Sequence, residues 1–178
     1  DAPREVFWAS GACMLVRSEV FRRLGGFDGD FFAHMEEIDF CWRAQLAGNR
    51  IRVEPRSTVF HVGGGTLPNN SPQKIYLNFR NNLCMLFKNL SPGTFWPVLF
   101  SRMVLDGMAA LVFLVQGHPD FFKKVFRAHI DFHRQRKSLH EKRRAIQRHR
   151  VARPHGILRN SIILLHAFGY RTFDKVMR

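Results

Sequence analysis

The sequence holds little that could cross-link it. Only 3 of its 178 residues are cysteine (Cys13, Cys41 and Cys84), and no two form a Cys-x-x-Cys pair. An odd, scattered set excludes a disulfide framework or a zinc ribbon and fits a reducing compartment. Acidic residues are scarce as well: 14 Asp+Glu stand against 28 Lys+Arg, a formal net charge of +14. Long uncharged apolar runs are also missing. The greasiest stretch, 95–116, contains Pro97, Arg102 and Asp106, and its longest charge-free run is the ten residues 107–116. A membrane span needs about 20 apolar residues. The stretch therefore predicts a buried or interfacial helix, with Arg102 and Asp106 paired at i,i+4. The glycines at 63–65 lack the Lys-Ser/Thr and helix start of a phosphate-cradling loop, and read instead as hinge positions of a lid.

What is present is enough for a core. Hydrophobic residues make up 46% of the chain and 18 residues are Phe, which excludes a disordered tail. The charge is uneven. Residues 1–117 hold 12 Lys+Arg and 10 Asp+Glu, a net of +2, whereas residues 118–178 hold 16 and 4, a net of +12. A near-neutral front and a basic back predict chemistry in the first and attachment to something anionic in the second. The chain opens on Asp1-Ala-Pro-Arg4 without an apolar leader and enters an apolar segment at once. That predicts a start in the middle of a domain.

Periodicity and punctuation predict a buried strand over 6–16 and a short helix capped by Ser18 and ended by Gly25-Gly26. A helix is predicted over 36–47, stopped by Gly48, then strands at 50–53 and 58–60. From Gln73 onward only helices are expected: 74–88, 95–116, one from Pro119 to about Arg150, and a fourth over 157–168.

The informative string is Gly25-Gly-Phe-Asp28, then Phe31-Phe-Ala-His-Met-Glu-Glu-Ile-Asp-Phe-Cys-Trp-Arg43, then Gly48, Pro55 and His61. It resembles bacterial family 2 glycosyltransferases, in their rhamnosyltransferase-like subgroup, in order and spacing over about residues 5–88. Their signature here is a Gly-Gly-Phe-Asp loop, an acidic pair, a hydrophobic-Asp-hydrophobic-Cys-x-Arg helix, and a Pro and a His around the next strand. The resemblance implies an α/β fold. Residues 1–90 would be the acceptor-side, base-bearing half of a Rossmann-like GT-A domain, with the nucleotide-binding half missing. Residues 91–178 would be a basic, Phe-rich helical extension that associates with membrane.

Inverting glycosyl transfer needs a base for the acceptor hydroxyl and a cation for the departing diphosphate. In the family the second acid of the pair is the base, which maps to Glu37. The family residue there is Asp, so the longer Glu stem leaves Glu36 as the alternative. Both also suit a helix N-terminus on dipole grounds alone. His61 maps to a position that can join a divalent metal, Mn²⁺ or Mg²⁺. Asp28 and Trp42 are acceptor-binding candidates, although Trp42 also fits a core position. Arg80 and Lys74 are diphosphate candidates, with a solvated helix face as the competing reading. Asp39 and Arg43 are read as a structural i,i+4 pair. Asp28-Gly29-Asp30 sits in the wrong place to be the family's Asp-x-Asp, which belongs upstream.

The resemblance implies a nucleotide-sugar donor, mostly outside this chain, and a glycan or lipid-linked acceptor of surface polysaccharide synthesis. The chain alone would be inactive. The basic helices, with Phe121, Phe126 and Phe132 among their cations, predict an anionic membrane surface as partner. The expected location is cytoplasmic, peripheral on the inner face of the cell membrane. No nucleic acid is expected, as no motif for it is present. The alternative is a non-catalytic basic protein binding a membrane surface or nucleic acid.

Overall fold

The computed structural model describes residues 2–62, 68 and 71–157. In order, these residues form β1 (Arg4–Glu5), α1 (Ser18–Arg23), α2 (Glu36–Leu46), β2 (Arg52–Val53), α3 (Pro72–Asn89), α4 (Pro92–Val115), α5 (Pro119–Arg134) and α6 (Arg136–Arg148), with 3-10 turns at Gly11–Cys13 and Gly29–Phe31. The described residues are thus mostly helical, and their one sheet is two-stranded. β1 and β2 pair antiparallel, with Arg4 opposite Val53. The glycine stretch expected to act as a lid, and the helix expected over 157–168 from residue 158 on, lie outside the described residues.

Four local expectations change. Ser18 is the first residue of α1 rather than its cap, which falls at Arg17 without a side-chain hydrogen bond. Residues 6–16 form no strand. The Ser10 hydroxyl accepts from the Ala12 N–H and starts a 3-10 turn, so the segment runs irregularly beside α2. Residues 58–60 are exposed and irregular rather than a strand. The long helix from Pro119 breaks at Gln135 without a proline or glycine. The break turns the chain so that α5 packs on α3 and α4 while α6 returns onto α3.

That return closes the C-terminus of α3. The last turn of a helix leaves carbonyls without partners. Arg143 donates to the Phe87 carbonyl at 2.7 Å, and the Gln147 carboxamide donates to the carbonyls of Lys88, Asn89 and Leu90 at 3.3 Å each. The start of α3 is set by Ser71, whose hydroxyl accepts from the Lys74 N–H, with Pro72 in the first turn.

The core is aromatic and joins α2 to α6. The Phe87 ring meets Phe95 of α4 at 5.1 Å, Phe132 of α5 at 5.7 Å and His140 of α6 at 4.9 Å, all edge to face. Phe31, Trp42, Leu46, Leu83 and Leu139 are buried around it. The packing is continuous across residue 90, where the two predicted units would meet. Val125, Ala128 and Phe132 of α5 are buried here, so that stripe is core and only Phe126 of the predicted membrane-facing aromatics is widely exposed.

Candidate functional site

The acidic pair opens α2. Glu36 and Glu37 stand in its first turn with Asp39, where the positive end of the helix dipole favours carboxylates. The loop that delivers them is strained. Phe32, His34 and Met35 have φ of 61°, 68° and 74°, a left-handed region that costs non-glycine residues free energy. The contacts that hold it come from α3. The buried Asn81 carboxamide donates to the carbonyls of Phe31, Ala33 and His34 at 2.9, 2.8 and 2.8 Å. Arg80 donates to the carbonyls of Asp30 and Phe31 and to the Asn81 oxygen, and its guanidinium lies over the Tyr76 ring.

The pair is only partly satisfied. Glu36 Oε2, Glu37 Oε2 and His34 Nε2 are buried and have no hydrogen-bond partner among the described residues. Burial pushes the Glu36 carboxyl up, with the neighbouring Glu37 charge adding to it, against its own backbone N–H and the attraction of His34. Gly11 approaches Glu37 from the irregular N-terminal segment, where an added Cβ would sit 3.8 Å from the Glu37 Cβ.

Below the pair lies a buried ionic lattice. Arg43 donates to Asp39 at 2.8 Å, so the expected pair forms, and also to the carbonyls of Leu24 and Gly26. The Lys88 ammonium sits between Asp28 at 2.5 Å and Asp39 at 3.0 Å. The Asn89 carboxamide donates at 2.8 Å to the same Asp39 oxygen that Lys88 contacts, opposite the one held by Arg43. Lys142 of α6 bridges Asp28 at 2.5 Å and Asp30 at 2.7 Å. Burial alone would raise the Asp28 carboxyl, but the charges and hydrogen bonds of Lys88 and Lys142 hold it at about 2.

The predicted site residues are therefore gathered only in part. Glu36 and Glu37 are adjacent at the mouth of α2. Asp28 is near them in the chain, but its carboxylate is engaged by two lysines. Trp42 is buried, packs edge to face on Phe7, and leaves its indole N–H without a partner. Arg80 grips the loop carbonyls. Lys74 is half-buried in the first turn of α3, and His61 is exposed on an irregular segment. Among the described residues no three His, Cys, Asp or Glu side chains converge on a point that could hold a metal ion. Sequence reasoning missed Lys88. The signal was available, because Leu77, Asn81, Cys84 and Lys88 recur at helical spacing on the buried face of α3. It also missed Lys142 and His34, for which the sequence carries no comparable cue.

No family model matches the chain, and no solved structure matches it significantly. Curated proteins do match part of it. The chain is 43% identical over 56 residues to the rhamnosyltransferase WbbL of Escherichia coli, covering 32% of this chain and 21% of that protein. It is 41% identical over 58 residues to the N-acetylglucosaminyl-diphospho-decaprenol L-rhamnosyltransferase of Mycobacterium tuberculosis, covering 33% and 19%. It is 31% identical over 74 residues to a hexosyltransferase of low-salt glycan biosynthesis from Haloferax volcanii, covering 41% and 24%. The chain thus spans about a fifth to a quarter of the length of these relatives, and over that part it is similar to glycosyltransferases.

Proposed function

We propose that this chain carries the acceptor side of a glycosyltransferase that moves a sugar from a nucleotide-sugar donor to a glycan or lipid-linked acceptor, with inversion at the anomeric carbon. The observation behind this reading is the Glu36–Glu37 pair, with a buried, unpartnered oxygen on each residue at the end of a strained, clamped loop. Unpaired buried acceptors are costly, and an acceptor hydroxyl is a donor that would satisfy them. In the proposed step Glu37 takes the hydroxyl proton as the acceptor oxygen bonds to the anomeric carbon. The bond from that carbon to the diphosphate oxygen breaks, and the nucleoside diphosphate leaves with its electron pair. Glu36, whose carboxyl is raised by burial, stands beside Glu37 as the second carboxyl group of the pair.

Asn81 and Arg80 act here through the loop, as positioning residues for the pair. Lys74 remains the candidate contact for the diphosphate. A divalent cation, Mn²⁺ or Mg²⁺, belongs to this reading as partner of the leaving group, with His61 as this chain's candidate ligand. The described residues do not gather a set that fits such an ion. Donor recognition and turnover belong, on this reading, to the full-length protein. The basic helices α5 and α6 support a peripheral location on the cytoplasmic face of a cell membrane.

The test is a screen of the full-length protein with labelled nucleotide-sugars and a membrane fraction as acceptor source. Label is expected in lipid-extractable or polymeric product, and its appearance should depend on Glu37. Absence of transfer from every donor, with membrane attachment intact, would favour a non-catalytic basic binding protein.

A further inference from the structure

The α4 helix is apolar on the side that faces away from the protein. Trp96, Phe100, Met108, Leu111 and Val115 are each between 58% and 88% exposed. With Val98, Val104, Leu105 and Val112 they cover roughly 200° of the helix circumference at 3.6 residues per turn. The inward side is narrow: Phe95, Leu99, Asp106 and Ala110 are buried. A contiguous apolar face of this extent is rare on a water-exposed surface and marks contact with another apolar phase or molecule. By length and composition this helix could cross a membrane.

Its inward contacts argue against a crossing. Near its start, Phe95 packs on Phe87 of α3 and lies under the Arg143 guanidinium of α6. In the middle, Asp106 is ion-paired with Arg102 at 2.7 Å and lies 3.2 Å from the His129 ring of α5. Arg102 also lies over Phe79 of α3. Near the end, Phe113 meets Phe79 and Phe121. The helix is fastened along its length to helices that carry charge on their outer sides, and it cannot pass through hydrocarbon without drawing them in.

We propose that α4 lies in the plane of an anionic bilayer, its outward face among the acyl chains of one leaflet. Charge complementarity selects lipid over a second copy of the chain. From Pro119 to Arg148, α5 and α6 carry 10 Lys+Arg and 3 Asp+Glu, a net of +7. Two copies meeting through α4 would bring these helices toward each other, whereas an anionic leaflet neutralises them. The inference deepens the membrane-surface part of the proposed function and does not depend on the catalytic assignment, because it is read without sugar transfer.

Trp96 makes the test direct. In full-length protein carrying Trp8→Phe, with any tryptophan outside these 178 residues also replaced by Phe and the buried Trp42 as a constant background, emission is recorded with vesicles of phosphatidylcholine and of phosphatidylcholine with phosphatidylglycerol, with and without brominated acyl chains. The expected result is a blue shift and bromine quenching with the anionic vesicles, and release of the protein by alkaline carbonate. The Phe100→Glu/Leu111→Glu variant, changed only at exposed positions, should keep its far-ultraviolet circular dichroism and bind these vesicles at least tenfold more weakly. Because the quenching needs no change in α4, it stands even if that variant fails to fold. Pelleting with anionic vesicles while Trp96 is unshifted and unquenched overturns the seating of α4 but leaves surface attachment standing. A Trp96 shift that appears without vesicles on raising protein concentration, with a dimer in light scattering, assigns the face to a second copy and overturns the proposal. Resistance to carbonate overturns the in-plane placement.

Discussion

The Asn81 carboxamide of α3 donates to the His34 carbonyl at 2.8 Å, one residue from the left-handed turn at Met35 that launches α2. Through this contact, one buried side chain in the middle of α3 fixes the direction in which Glu36 and Glu37 leave the loop. Strain at Phe32, His34 and Met35 persists only where the surroundings over-determine it, and Asn81 with Arg80 supplies that constraint.

Asn81→Ala should therefore do two things. It removes a donor from three loop carbonyls, of which Phe31 keeps Arg80 and the Ala33 N–H, and should cost about 2–3 kcal/mol of stability, the usual penalty for buried acceptors left unpaired. It should also slow transfer with little change in donor affinity, since the pair would lose its aim. Urea unfolding and steady-state kinetics check the two parts separately. Unchanged stability would show that the clamp holds nothing.

Lys88 is the second point of sensitivity. Its ammonium is buried between Asp28 and Asp39, and removing one partner of a buried ion pair costs about 3–5 kcal/mol. Lys88→Met keeps the volume but leaves both carboxylates short of a cation. A large drop in denaturation midpoint is expected, with Lys142→Met, on a more exposed ammonium, costing much less.

How far the sequence carries the account differs between its halves. Around α2 the local rules agree. Gly25-Gly26 after α1, the acidic first turn and the Asp39–Arg43 spacing are all readable in the chain, because capping and i,i+4 pairing act over a few residues. The irregular course of 6–16 was not readable. Its apolar run matches a strand in composition, but among the described residues no neighbouring strand receives it, and Ser10 offers a local alternative. The break at Gln135 was hidden as well, since no proline or glycine announces it and long-range packing of Phe132 and Leu139 decides it. The role of Lys142 depends on α6 folding back over a separation of 114 residues, which no local pattern reports. Arg80 stood out as a diphosphate candidate, but its attachment, with Asn81, to loop carbonyls could be found only in three dimensions.

Acid should loosen the lattice in a defined window. The Asp28 carboxyl is held at about 2, below the ordinary aspartate value of 3.8. A depressed acid pKa contributes stability that is complete above the unfolded value and is lost as pH falls through the folded one. The contribution, at most about 2 kcal/mol and smaller after solvent screening, should be present above pH 4 and decline toward pH 2. Unfolding free energy measured against pH should show this limb, and Asp28→Asn should flatten it. A limb of the same size in the variant would assign it to another carboxylate.

The thiols offer an independent check on packing. Burial pushes Cys84 up to about 12 and raises Cys41, whereas Cys13 is exposed. The thiolate is the reactive form, so a maleimide at pH 8 should label Cys13 quickly and the other two only on unfolding. Fast labelling at Cys84 would contradict the described core.

The most direct test of the central claim is a paired measurement on the full-length protein: the rate of sugar transfer and the affinity for the nucleotide-sugar donor, in wild type, Glu37→Gln and Glu36→Gln. If Glu37 is the base, Glu37→Gln should bind donor as before and lose transfer by roughly 10²–10⁴-fold, the range set by a positioned general base, with Glu36→Gln losing less. The reverse order would move the base to Glu36, and full transfer in both variants would contradict the assignment of this pair to catalysis.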